Sequence, residues 1–340
     1  MATDTGAIPT TMVAIEIDRP GGPDVLKPGT RPVPVPASDE ILIRVEAAGI
    51  NGPDVLQRKG HYNPPPGASD IPGLEIAGRV AAIGGSVTAF AVGDLVAALV
   101  TGGGYADYAI ANEKVTFAVP KGLSITEAAA LPETFMTVWL NLCDRGGFKA
   151  GESVLIHGGA SGIGTTATML ARQLGASKII TTVSSPAQQE ASLRLGADVA
   201  VNYLEEDFVA VAKNATGGAG VDIILDIIAG DYVARNYDSA AMNGRIMQIS
   251  VLKGPAKDLD LWPMLFKRLT HSGTTLRSRS HDDKKAILDQ LEQHVWPLIA
   301  NGLVKPEIYR TFAFADAVEA HALIDSGTHI GKIVLLNPPA

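Results

Sequence analysis

Residues 153–164 constrain this chain most. Ser153-Val154-Leu155-Ile156-His157 is a buried-type strand that runs straight into Gly158-Gly159-Ala160-Ser161-Gly162-Ile163-Gly164. Beyond the turn, Ile163, Ala167, Leu170, Ala171 and Leu174 recur at helical spacing and make one apolar face. A strand, a glycine turn and an amphipathic helix in that order leave the first N–H groups of the helix pointing at the turn, where glycine lets an anion come close to the backbone. The spacing Gly159-x-x-Gly162-x-Gly164 departs from G-x-G-x-x-G, and such a turn can also be a plain tight turn. The strand-turn-helix context favours the pyrophosphate of a dinucleotide, with Gly159, Ser161, Gly162, Ile163 and Gly164 around it.

The surrounding pattern fits that placement. From Ser153 onward strand-like runs (Lys178–Val183, Val221–Ile227, Arg245–Ile249) alternate with helix-like ones (Gly162–Leu174, Gln188–Leu195), which predicts a doubly wound parallel sheet. Before Pro120 the chain reads instead as short β segments: Val13–Ile17, Ile41–Val45, Ile76–Ile83 and Leu95–Val100. Pro28 to Pro36, too rich in proline for a regular ladder, reads as a connector. Ser124 and Glu127 have capping-box spacing before an apolar run. After residue 273, helical patterns over Ala286–Ile299 and Ala315–Ile324 precede a terminal strand, Lys332–Leu336, whose partner periodicity does not reveal. Lys284-Lys285 after Asp282-Asp283 reads as a solvated helix face. The fold class is α/β, with a β-rich domain and a doubly wound one.

Net charge of −8 opposes binding to a phosphate backbone. The single cysteine, Cys143, rules out an internal disulfide and any cysteine-rich metal site. No apolar run reaches membrane-spanning length, and Met1 to Thr11 lacks a basic segment followed by an apolar one. These features predict a soluble cytoplasmic protein with no nucleic-acid and no membrane partner. None of the seven histidines is paired at metal-ligand spacing.

The second strand of the alternating half ends Thr181-Thr182-Val183-Ser184-Ser185. An acid there would bind a ribose 2′-hydroxyl and repel a 2′-phosphate. Its absence tilts the reading toward NADPH, with Ser184 and Ser185 either donating to the phosphate or simply opening the turn before Pro186.

Ala48-Gly49-Ile50-Asn51-Gly52-Pro53-Asp54, His61-Tyr62-Asn63-Pro64-Pro65-Pro66-Gly67, Pro72-Gly73-Leu74-Glu75-Ile76-Ala77-Gly78, Gly102-Gly103-Gly104-Tyr105, the glycine turn, Val201-Asn202-Tyr203 and Ile330-Gly331-Lys332-Ile333-Val334 together carry a resemblance. The chain resembles the zinc-independent quinone oxidoreductase family of the medium-chain dehydrogenases/reductases, which includes zeta-crystallin. The Tyr-x-Pro-Pro-Pro-Gly stretch is similar to the tumour-suppressor-inducible subgroup. The resemblance implies a GroES-like catalytic domain from residues 1–133 and 274–340, a Rossmann domain at 134–273, NADPH as cofactor and a homodimer. It places Asn51 and Thr137 beside the nicotinamide, Ser161, Gly162 and Ile163 at the pyrophosphate half, and Tyr203 by the adenosine ribose phosphate. Zinc-dependent relatives carry Cys and His where this chain has Asn51 and Leu74, so the implied chemistry needs no metal. Tyr62 and Ser161 match positions that affect activity in the subgroup, and Tyr62, held beside three prolines, is either a hydrogen-bond donor to substrate or a packed aromatic. A lysine usual after the second strand is absent, since the chain reads Pro186-Ala187-Gln188-Gln189-Glu190, which leaves NADH possible. The expected activity is hydride transfer to a quinone or a conjugated enone or enal. The alternative is a non-catalytic NADPH-binding protein, crystallin-like or RNA-binding.

Overall fold

The computed structural model describes residues 7–337. The outer ends of the expected spans 1–133 and 274–340, and part of the Met1 to Thr11 segment read above for a leader, lie outside the described residues. The chain divides into two compact units, one running up to Glu133 and resuming at Arg277, the other Thr134–Leu276.

The first unit opens on β1 (Thr11–Ile17) and β2 (Leu26–Pro32), an antiparallel ribbon. Half of the stretch read as a proline-rich connector is therefore a strand. Val33 donates its N–H to Thr10 O, so odd-numbered positions face β1. Pro28 and Pro32 take the alternate positions, on an edge where a missing N–H costs nothing. Then follow β3 (Glu40–Gly49), α1 (Gly52–Arg58), β4 (Glu75–Ile83), β5 (Leu95–Leu99), β6 (Tyr108–Asn112), β7 (Thr116–Ala118) and α2 (Ile125–Ala128). Ser124 and Glu127 close the capping box at the start of α2.

The chain passes through α3 (Pro132–Trp139) and a π-helical turn, Leu140–Arg145, into the second unit. There β8 (Ser153–His157), α4 (Gly162–Gln173), β9 (Lys178–Val183), α5 (Pro186–Arg194), β10 (Val199–Asn202), α6 (Phe208–Ala215), β11 (Val221–Asp226), α7 (Tyr232–Ser239), β12 (Ala240–Gln248), α8 (Trp262–Lys267) and β13 (Thr270–Gly273) alternate. The six strands are parallel in the order β10-β9-β8-β11-β12-β13. The direction of winding reverses between β8 and β11, so the glycine turn after β8 stands at the carboxyl edge of the switch point, where such sheets bind ligands. All five residues of β8 are buried, as a strand covered by helices on both faces requires.

The returning segment supplies α9 (His281–His294), α10 (Trp296–Ala300), β14 (Ile308–Ala313), α11 (Ala317–Ser326) and β15 (Lys332–Leu336). The single helix expected over Ala286–Ile299 is two. Pro297, with no N–H to give, cannot continue α9 and sits instead in the first turn of α10. β15 pairs antiparallel with β3 and parallel with β14, completing the sheet β14-β15-β3-β4-β5-β7, with β6 also on β3. Lys284 is not on a solvated face. It is buried and donates to Arg277 O at 2.9 Å, while Lys285 stays half exposed.

Candidate active site

In the second unit the turn between β8 and α4 is closed too tightly for side chains. A Cβ on Gly164 would lie 2.2 Å from Gly158 O, and one on Gly159 would lie 2.6 Å from the Thr181 side chain. Gly158 has φ +68°, a conformation that glycine adopts without strain. Ser161 is the N-cap of the 12-residue α4, its hydroxyl oxygen accepting from Gly164 N–H at 3.0 Å. Gly162 and Ile163 are partly exposed at this end, and the first turn holds no acid. Beneath the turn, the buried hydroxyls of Thr181 and Ser192 have no partner. Free helix N–H groups, a cradle that side chains would fill and unspent hydroxyls suit the diphosphate of a nicotinamide dinucleotide.

At the end of β9 the two serines differ. Ser184 commits both N–H and hydroxyl to Gln188 Oε1, at 3.0 and 2.9 Å, whereas Ser185 accepts from Gln188 N–H at 3.3 Å and keeps its own proton to give. Gln188, at the position of the usual lysine, is thus a strut of this turn. Tyr203 stands exposed after β10, anchored by its N–H to Val183 O. Thr137 is buried in α3, and its carbonyl accepts from Asn141 Nδ2 at 2.8 Å.

In the first unit a buried polar cluster forms around Asn51. Its amide Nδ2 donates to Glu75 Oε1 at 2.9 Å and its Oδ1 accepts from Lys332 Nζ at 2.6 Å. Lys332 also pairs with Glu75 at 2.6 Å and donates to Ile50 O. Asp54, wholly buried, accepts from the N–H groups of Asn51 and Gly73. Burial lifts its carboxyl to about 6 despite those bonds. Glu133 is pushed up to about 8, by burial first and then by Glu75 and Asp54. Tyr62 is partly buried, and that burial, with Glu133, raises its phenol above the ordinary range while Arg277 opposes the rise. The Arg277 guanidinium carbon lies 5.4 Å from the Tyr62 ring centre.

Two family profiles match, the alcohol dehydrogenase GroES-like domain over residues 37–121 and the zinc-binding dehydrogenase over 162–293. The quinone oxidoreductase of Sus scrofa is 30% identical, covering 96% of this chain and 98% of its own, and that of Homo sapiens is 31% identical with the same coverage. The chain belongs to the quinone oxidoreductase family. Solved structures agree: an Escherichia coli quinone oxidoreductase complexed with NADPH superimposes with TM-score 0.84 at 29% identity, and a mycobacterial quinone oxidoreductase with 0.82 at 30%, each covering 96% of this chain and 100% of its own. The architecture is the medium-chain dehydrogenase/reductase fold, a GroES-like β-rich part and a Rossmann sheet.

Within this family member, sequence reading missed Glu75, Glu133, Lys332, Arg277 and Lys284. Lys332 carried a signal, a lone charge opening an otherwise apolar strand. Asn51-x-x-Asp54 carried another, the spacing of an N-cap and an acid three residues on, and at the start of α1 the Asp54 carboxylate accepts from the Asn51 N–H at 2.8 Å. Among the described residues no helix is long and apolar enough to cross a membrane.

Proposed function

We propose that this protein is an NADPH-dependent, zinc-free reductase of quinones and of conjugated enones or enals. The observation that carries the reading is the β8–α4 turn at the switch point, with its capped helix end free for an anion. Ser161, Gly162 and Ile163 would hold the pyrophosphate, Gly159 and Gly164 would keep the turn tight, and Ser185 with Tyr203 would meet the adenosine ribose phosphate. Ser184 is assigned a supporting part there, since its proton is committed to Gln188. Asn51 and Thr137 are assigned to the nicotinamide by family resemblance. The cofactor, when bound, supplies a hydride.

The acceptor takes up that hydride, two electrons and one proton, and becomes a hydroquinone monoanion or an enolate, which takes one further proton from water. This chain has to stabilise the negative oxygen as it forms, and Tyr62 is the proposed donor. Asn51, gripped at both amide atoms by Lys332 and Glu75, presents a fixed orientation. Zinc has no ligand set in this reading: Asn51 stands where a thiolate would be needed and is spent on Glu75 and Lys332, Leu74 stands where an imidazole would be, and the one cysteine, Cys143, has its thiol pushed up to about 12 by burial. With a single cysteine a reducing, cytoplasmic setting fits. A homodimer is favoured by Trp262, Leu265 and Phe266 on α8, each 66% exposed, in the helix that leads into the edge strand β13.

The deciding experiment is steady-state oxidation of NADPH and of NADH against a panel of quinones and enones. Turnover with quinones and preference for NADPH support the reading. NADPH binding without turnover on any acceptor makes the protein a non-catalytic binder instead.

A further inference from the structure

We propose that Arg277 is a second donor to the acceptor oxygen, beside Tyr62; the inference rests on the quinone-reductase reading and adds a residue to it. The side chain is 5% exposed. Its Nε and Nη2 both donate to Thr101 O, at 3.0 and 2.8 Å, which fixes the plane of the guanidinium. The remaining nitrogen, Nη1, is buried with no hydrogen-bond partner, and the carboxyls of Asp54 and Glu133 act on the group without bonding to that nitrogen. A buried cation with an unspent N–H is costly unless something answers it.

The neighbourhood deepens the deficit. Lys284 is also buried, and its Nζ donates to Arg277 O. Glu133, whose charge acts on Arg277, Lys284 and Tyr62 alike, has its carboxyl raised toward neutrality by burial and by Glu75 and Asp54. Two buried cations thus share as an acidic neighbour a carboxyl that resists ionising, with Asp54 a second acid acting on Arg277. The phenol of Tyr62, under whose ring plane Arg277 is packed, is neutral and brings no counter-charge. Neither acid bonds to Nη1, and the partner that would is one that exists only when the reaction has run: the oxygen of a hydroquinone monoanion or an enolate. An arginine held by two of its donors and left free at the third is preorganised for it, so the stabilisation appears at the transition state with little rearrangement.

The probe is 4-nitrophenol, whose phenolate resembles a hydroquinone monoanion and is coloured, titrated into the cofactor-free protein across the pH range of its ionisation. Wild type should hold the phenolate at least about tenfold more tightly than the phenol, a preference that Arg277→Gln loses while its thermal unfolding is unchanged. Under turnover, Arg277→Gln should lose about a hundredfold in kcat toward quinones with KM for NADPH preserved. Should Arg277→Gln fail to fold, Arg277→Lys decides. It retains the charge but cannot serve both Thr101 O and the oxyanion, so a loss of about tenfold or more is expected. Equal affinity of wild type for phenolate and phenol, or unchanged kcat in either folded variant, overturns the inference. A wild type that reduces no quinone overturns the parent reading, and the phenolate titration then still decides whether Arg277 lines an oxyanion site.

Discussion

Replacing Glu133 by Gln should change how stability depends on pH, with a sign that the buried cluster dictates. The folded protein raises this carboxyl from its ordinary 4.5 to about 8, burial being the main cause. Between those values the unfolded chain releases the proton while the folded chain retains it, so the unfolded state binds fewer protons and stability falls as pH rises. Below 4.5 both states are protonated and the penalty vanishes; above 8 both are ionised and it is at its greatest. At about 1.4 kcal/mol for each pH unit that separates the folded from the unfolded value, the penalty has a ceiling of ~4–5 kcal/mol, reaching ~3 near neutrality. Asp54, raised from 3.8 to about 6 by burial, adds to the fall in the same direction between those values. Glu133→Gln keeps the shape and cannot ionise, so it should be close to wild type in stability near pH 5 and more stable by a few kcal/mol near pH 9. The assay is urea unfolding followed by Trp296, which packs 5.2 Å from Phe117 within the same unit as Glu133. Trp139 and Trp262 are replaced by Phe in both proteins so that only Trp296 reports. A difference between the two proteins that stays flat from about pH 5 to about pH 9 would show that Glu133 carries its charge in the fold without penalty, and the account of the cluster would fail.

Tyr62→Phe should keep the fold and NADPH affinity while lowering kcat by about tenfold to a hundredfold, measured with several quinones; an unchanged kcat leaves Tyr62 as pocket wall only. Ser161→Ala removes the N-cap of α4, so about 1 kcal/mol of stability and a several-fold loss in NADPH affinity should go together, read by thermal unfolding and by titration. Lys332→Met leaves Glu75, wholly buried, without its cation, and should destabilise by ~3–5 kcal/mol in urea unfolding; a loss under about 1 kcal/mol would mean the pair is not shielded from water. Trp262→Glu with Phe266→Glu should convert a dimer to a monomer in light scattering after gel filtration, and an unaltered mass would place any interface elsewhere.

What the sequence made legible and what it hid divide along a physical line. The β8–α4 turn was readable because its evidence is local: strand, glycines, cap and helix follow one another directly along the chain, and each imposes its own backbone requirement. The proline-rich strand β2 was not, because whether a proline is tolerated depends on which side of a strand lacks a neighbour, and that is settled only when β1 pairs with it. Lys284 was misplaced for a related reason. Helical spacing gives the face on which a residue lies but not what that face meets, and here it meets the backbone of Arg277, the residue at which the chain re-enters the first unit. The cluster around Asn51 joins residues from β4, α3 and β15, so 281 positions separate Asn51 from Lys332 though their atoms stand at hydrogen-bond distance. Only the antiparallel pairing of β15 with β3 makes them neighbours. The reach of sequence reading therefore ends where a charge is explained by its partner: Lys332 and Arg277 are ordinary cations as letters, and their difference, one spent on Glu75 and the other holding an N–H in reserve, exists only in the folded unit.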